Sequence, residues 1–127
     1  MEFFAELTGQ NTETELLQEL LTIKRLPEFC PLIDTVLSIQ SPEKGEIYCL
    51  WGQFLVSRQM IRNGVRFALL NCPHALAWTI TVHDDSRTIV IHCTINGKHE
   101  AQEFVESIEQ FVEAWAEGLQ RGLIKRR

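Results

Sequence analysis

From Val65 to Ile95 apolar and polar residues alternate almost one by one, and no other feature of the chain restricts its fold as tightly. Alternation of period two marks strands with one buried face. The test is whether separately placed turns agree on which face that is. A turn at Asp84–Arg87 sets Val82 opposite Ile89, Ile80 opposite Ile91, Trp78 opposite Cys93 and Leu76 opposite Ile95. A turn centred on Pro73 and His74 sets Val65 opposite Val82, Phe67 opposite Ile80 and Leu69 opposite Trp78. Both put the apolar side chains of three strands on one surface, which is how register is normally specified.

Strand signals continue upstream. LSIQ-SPEKG-EIYC reads as a hairpin, and the Asn-Gly pair in Arg62-Asn63-Gly64-Val65 favours a two-residue turn. Five antiparallel strands are therefore expected near 33–40, 46–61, 65–71, 75–83 and 88–96. In the long second strand Ile47, Cys49 and Trp51 share one parity, while Phe54, Val56 and Met60 share the other. A β-bulge at Gly52 would reconcile them. The same register points Arg58 inward, a misfit for a charged side chain.

Two helices flank the strands. Thr12-Glu13-Thr14-Glu15 has the form of a capping box, and Leu16, Leu17, Leu20, Leu21 and Ile23 follow as an apolar stripe. Pro27 should end that helix near Leu26. From Glu100 to about Leu119, apolar residues recur at Ala101, Phe104, Val105, Ile108, Phe111, Val112, Trp115 and Leu119, with glutamates off the stripe. Met1–Leu7 is expected to add only a short, poorly anchored turn.

These elements predict a single α+β domain over residues 1–127, in the order α-β5-α. It is a two-layer sandwich: a five-stranded antiparallel sheet with the N- and C-terminal helices on one face. That face carries Phe67, Trp78, Ile80, Ile91 and Cys93. The element order is similar to the frataxin-like plan. Small size, acidity and the C-terminal helix FVESIEQFVEAW resemble those of type III secretion chaperones.

Charge narrows the partners. The 127 residues hold 12 Lys and Arg against 17 Asp and Glu, a net charge of −5. Neutralising phosphates needs a basic surface, so no nucleic-acid partner is expected; the basic C-terminal RGLIKRR reads as a solvated tail. MEFFAELTGQ carries acids where a signal peptide needs positive charge, and no window approaches the ~20 apolar residues of a membrane span. A cytoplasmic protein without a membrane partner is expected. Cys30, Cys49, Cys72 and Cys93 contain no CxxC pair and suggest neither a zinc ribbon nor a redox motif.

The stretch VHDDSRTIVIHC looks like a site only when written on one line. Its register sends Cys93 to the core face and His92 to the other, across from Thr79. His83 lies opposite Thr88, roughly 13 Å from His92 at about 3.3 Å per residue, too far for one metal to bridge. Asp84 and Asp85 are turn residues. A better cluster is Cys72, His74 and His99, which should meet at one end of the sheet and could hold a transition metal. Against it, only three ligands are visible, with Glu100 the nearest carboxylate in sequence, so the protein is expected to need no metal or other cofactor.

The sheet face away from the helices has no cover within the chain. It should show Thr79, His92 and Arg66, together with Leu55, Leu70, Ala77 and Val90. A contiguous apolar patch suggests an interface. The expectation is a non-enzymatic interaction protein, an accessory chaperone, adaptor or regulator. It would bind a protein partner or form a homodimer through Leu55, Arg66, Leu70, Thr79 and His92. The alternative is a metal- or small-ligand-binding protein or enzyme with its site near Cys72, His74 and His99.

Overall fold

The computed structural model describes residues 1–83, 87–97 and 100–124. Strand β1 (Glu2–Thr8) opens the chain. Helix α1 (Thr14–Leu20), a 3-10 turn (Ile23–Arg25) and helix α2 (Leu26–Phe29) follow. Six strands come next: β2 (Ile33–Ser41), β3 (Lys44–Cys49), β4 (Gly52–Ile61), β5 (Gly64–Leu69), β6 (Ala77–Val82) and β7 (Thr88–Thr94). Helix α3 (Gln102–Ile124) closes the described chain. The α+β class, the antiparallel sheet and the C-terminal helix are as expected, but the sheet has seven strands in the order β1-β7-β6-β5-β4-β3-β2.

Both additional strands have a physical cause. Met1–Leu7 was expected as a loose turn, yet it pairs along its whole length with β7, from Glu2 opposite Thr94 to Thr8 opposite Thr88. Its alternation Phe3, Ala5, Leu7 against Glu2, Glu6, Thr8 lays apolar residues opposite Cys93, Ile91 and Ile89. The expected strand 46–61 is two strands. The parity flip at Gly52 marks a hairpin and no bulge: Cys49 pairs with Gly52 across Leu50–Trp51. Gly52 takes φ +114°, open to glycine and strained for other residues. The leading strand also replaces the expected α-β5-α order.

The register of β6 and β7 is as expected, with Val82 opposite Ile89, Ile80 opposite Ile91 and Trp78 opposite Cys93. Of the turn joining them, Asp84, Asp85 and Ser86 lie outside the described residues. The β5–β6 register is shifted by two. Phe67 faces Trp78 and Val65 faces Ile80, because the connection is not centred on Pro73 and His74. A shift of two keeps every side chain on its face, so the apolar surface survives the error. The β4–β5 turn is Arg62–Asn63, with Ile61 opposite Gly64, one residue earlier than the Asn-Gly pair suggested. Gly64 is there for space: a Cβ would run into the carbonyl of Ile80.

Both helical layers cover the predicted face. Trp115 on α3 stacks over Phe67 at 6.3 Å and lies 6.3 Å from Trp78, while Phe111 meets Trp78 edge-on at 5.0 Å. The N-terminal helix is shorter than expected. Thr12 does not cap it but donates to Gln10 O at 3.3 Å, leaving Glu13 as the N-cap residue without a side-chain bond. Pro27 does not end the helix either. It occupies the first turn of α2, where a missing N–H costs nothing.

Candidate ligand pocket beside the Cys72–His74 turn

The connection between β5 and β6 runs from Leu70 to Leu76 and folds back tightly. Ala75 N donates to Cys72 O at 3.0 Å, and Ala75 sits in the left-handed region at φ 50°. Its far side is pinned to the chain after β7 by Asn96 N donating to His74 O at 2.8 Å. The near side is pinned to β4: Leu70 N donates to Leu55 O at 2.9 Å, and Leu55 N donates to Asn71 Oδ1 at 3.1 Å. The loop is thus anchored on both flanks and presents Cys72, Pro73 and His74 toward the start of α3.

A pocket of about 240 Å³ lies there, lined by Trp51, Phe54, Leu69, Cys72, Pro73, His74, Leu76 and Phe104. Trp51 comes from the β3–β4 turn and packs between Phe104 at 6.2 Å and Phe111 at 4.8 Å. Its Nε1–H donates to Ser107 Oγ at 2.8 Å, and Ser107 in turn donates to Phe104 O at 2.6 Å. That chain fixes the indole wall. His74 lies over Phe104, ring centroids 4.4 Å apart, with Nδ1 3.5 Å from Glu100 Oε1. Among the described lining residues, Cys72 and His74 are the only side chains that are not hydrocarbon or indole.

Burial disfavours the thiolate at the neighbouring Cys49 and Cys93. Burial pushes Cys93 up to about 12 and raises Cys49, and a charge on Cys72 would raise both further. Only Cys72 of the four cysteines is partly exposed.

Cys72 and His74 share one cavity wall, while His99 lies outside the described residues. Among the described residues no three His, Cys, Asp or Glu side chains converge as a metal would need. Trp51, Phe54 and Phe104 were missed as lining, because read in sequence they are ordinary core positions. Glu100 was noted only as a neighbour in sequence, and the structure brings its carboxylate to His74.

The outer sheet face is arranged differently from the expected patch. Arg66, Thr79 and His92 stand in one cross-strand row that continues to Phe4 on β1. His92 stacks on Phe4 at 4.4 Å, and its Nε2 is 2.9 Å from Glu2 Oε1. Arg66 donates to Gln59 Oε1 at 3.2 Å. Leu55 and Leu70 adjoin each other at the other end of the strands, and Leu70 is 49% exposed. Ala77 and Val90 are already buried. The five residues share the face but divide into a polar row and an apolar pair.

A larger depression of about 520 Å³ runs between Pro31–Leu32 and α3. It is a shallow groove edged by Glu109, Glu113 and Glu117, the wet side of an amphipathic helix. No described helix is long and apolar enough to cross a membrane.

No family model matches the sequence, and no curated protein matches it. Solved structures do resemble the fold. The protein XoxI from Bacillus cereus superposes with TM-score 0.66 at 14% identity over 98% of this chain and 94% of its own. An uncharacterised protein from Bacillus thuringiensis gives 0.65 at 15%, covering 98% of each chain. A START superfamily protein from Mycobacterium smegmatis gives 0.63 at 12%, over 100% of this chain and 98% of its own. At such identities the likeness is one of fold, a seven-stranded antiparallel sheet closed by a C-terminal helix.

Proposed function

We propose that the protein binds a small, mostly apolar molecule in the pocket beside the Cys72–His74 turn. The observation that supports this is the pairing of an aromatic and aliphatic wall with a single oriented imidazole: a few placed polar groups in an apolar cavity are the usual composition of a ligand site. Size limits the occupant. Sites for drug-sized ligands run from ~300 to ~1,000 Å³, so 240 Å³ suits one substituted ring. This reading favours the alternative drawn from the sequence, with a small organic ligand in place of a metal.

Toluene is a direct probe, since it matches the walls and asks nothing of His74. At ten times its Kd it should stabilise the protein by about 1.4 kcal/mol, visible as a raised Tm. Cys72→Trp, which fills the cavity from its partly exposed side, should abolish that rise. A Tm indifferent to toluene, or equally raised in Cys72→Trp, contradicts the reading.

A second reading keeps the outer sheet face as an interface for a protein partner or a second copy. It is supported by Leu70, an exposed leucine beside Leu55 on a face that no described element covers. A cytoplasmic setting remains part of both proposals.

A further inference from the structure

The 3-10 turn after α1 and the β2–β3 hairpin enclose another hollow. They lie so close that a Cβ on Gly45 would sit 2.9 Å from Ile23 Cγ2. The hairpin's tip is held to β4 by Arg58 N, which donates to Glu43 O at 2.9 Å. The cavity measures about 360 Å³ and is lined by Ile23, Lys24, Ile39, Ser41, Pro42 and Arg58 among others. That lies within the ~300–1,000 Å³ of drug-sized ligand sites.

Two cations line it, in a chain whose net charge is −5. The Arg58 guanidinium spends Nε and Nη2 on Leu21 O and Gln18 O. Leu21 directly precedes the lining residues Thr22, Ile23 and Lys24, so those bonds hold the charge at that wall. Nη1, with two N–H groups, has no hydrogen-bond partner among the described residues, and Lys24 has no ion pair among them. The Ser41 hydroxyl accepts from Glu43 N at 3.2 Å, which leaves its own proton to donate. Beside these donors Ile23, Ile39 and Pro42 supply hydrocarbon, and Ile39 is 48% exposed, apolar area that a ligand could cover.

We infer that this hollow binds a small carboxylate with an aliphatic body, the carboxylate drawn by Arg58 and Lys24 and the chain laid against Ile23, Ile39 and Pro42. The site shares no lining residue with the pocket beside the Cys72–His74 turn and does not rest on that reading. The planar arginine fork suits a carboxylate. Inorganic phosphate is drawn by the same cations but leaves the hydrocarbon uncovered. Glu43 opposes any anion: burial lowers the pKa of Arg58 and the Glu43 charge raises it, so that carboxylate already acts on the guanidinium. Glu43 is exposed and lies off the lining, so solvent screens its competition.

The experiment compares the Kd values of hexanoate, hexanamide and inorganic phosphate by amide chemical-shift titration of the whole protein. Hexanoate should bind about three- to tenfold tighter than hexanamide, the worth of partly exposed charge-assisted contacts, and phosphate should bind more weakly than hexanoate. The shifts should gather at the amides of Ile23, Lys24, Ile39 and Ser41. Lys24 and Glu43 are both exposed, so their variants should fold. Lys24→Gln should lower the hexanoate-to-hexanamide ratio about two- to threefold, and Glu43→Gln should raise it by a similar factor. Equal binding of hexanoate and hexanamide, or a ratio unmoved in both variants, overturns the role of the cations. Phosphate binding as tightly as hexanoate overturns the role of the aliphatic wall. Shifts gathered at Trp51 and Phe104, or no binding of any probe, overturn the site and leave the toluene test of the other pocket untouched.

Discussion

Arg58 Nε donates to the carbonyl of Leu21 at 2.6 Å, and Nη2 of the same guanidinium donates to Gln18 O at 2.5 Å. Arg58 projects from the helix-facing side of β4, which makes it a misfit on paper. Its partners are carbonyls at and just beyond the end of α1, groups that a helix leaves unpaired. The planar fork of arginine can serve two acceptors at once, and burial lowers its pKa without approaching neutrality. Gln18 completes the joint by donating to Ile61 O and Gly64 O at the β4–β5 turn.

Arg58→Ala should therefore destabilise the fold by about 1.5–3 kcal/mol, the range for hydrogen bonds to a charged group. Arg58→Lys should recover only part of that, having one point charge for two carbonyls. Urea unfolding checks both. An Arg58→Ala loss under about 0.5 kcal/mol, the level of an ordinary surface change, would mean that the end of α1 is held by other contacts.

Trp115 is fully buried among Phe67, Trp78 and the sheet, so Trp115→Ala should cost about 3–5 kcal/mol. Its Nε1–H is buried without a partner among the described residues, as is that of Trp78. Trp115→Phe removes that unpaired donor along with some area, and an unpaired donor costs about 1–3 kcal/mol. The phenylalanine variant should accordingly lose far less than the alanine one. Equal losses in thermal or urea unfolding would show that the indole nitrogen is satisfied in solution.

The thiols should separate by reactivity. With Cys30 and Cys93 pushed up to about 12 by burial, and Cys49 raised and buried, thiolates at these positions are scarce at about pH 8. An aromatic disulfide reagent should modify Cys72 first and leave the others until unfolding. Saturating toluene should slow that reaction. Rapid modification of several thiols in the folded protein, read by mass spectrometry, would contradict the packing described.

Leu70→Arg tests the second reading. The side chain is 49% exposed, so folding should change by less than about 0.5 kcal/mol. If the outer face self-associates, light scattering should show the variant losing a dimer that the unaltered protein forms. A monomer in both cases sets self-association aside.

The sheet was legible in the sequence wherever both of its faces were written in the pattern. The alternation of Trp78–Val82 against Ile89–Cys93 gave their pairing residue for residue, because a slip by one would expose the core. Features set by space and by distant partners were harder to see. Phe3-Ala5-Leu7 alternates too briefly to announce an edge strand, and its pairing with β7 spans almost the whole chain. Leu50–Trp51 lacks the turn residues that mark a hairpin, so the parity flip was read as a bulge. The β5–β6 register depended on a loop whose course is set by backbone bonds to Leu55 and Asn96. At the site, Cys72 and His74 stood out by residue type. The aromatic wall came from two distant segments, Trp51–Phe54 and the start of α3, that only the fold brings together.

The central claim is most directly tested at the Trp51 indole. The protein's three tryptophans give three indole N–H resonances, and Trp51 Nε1–H is the one on the pocket wall, bonded to Ser107. Under toluene titration the Trp51 resonance should shift saturably and by the largest amount, with those of Trp78 and Trp115 moving little. A Trp51 resonance that stays fixed while the shifts gather on the outer face around Leu70 and His92 would contradict the account.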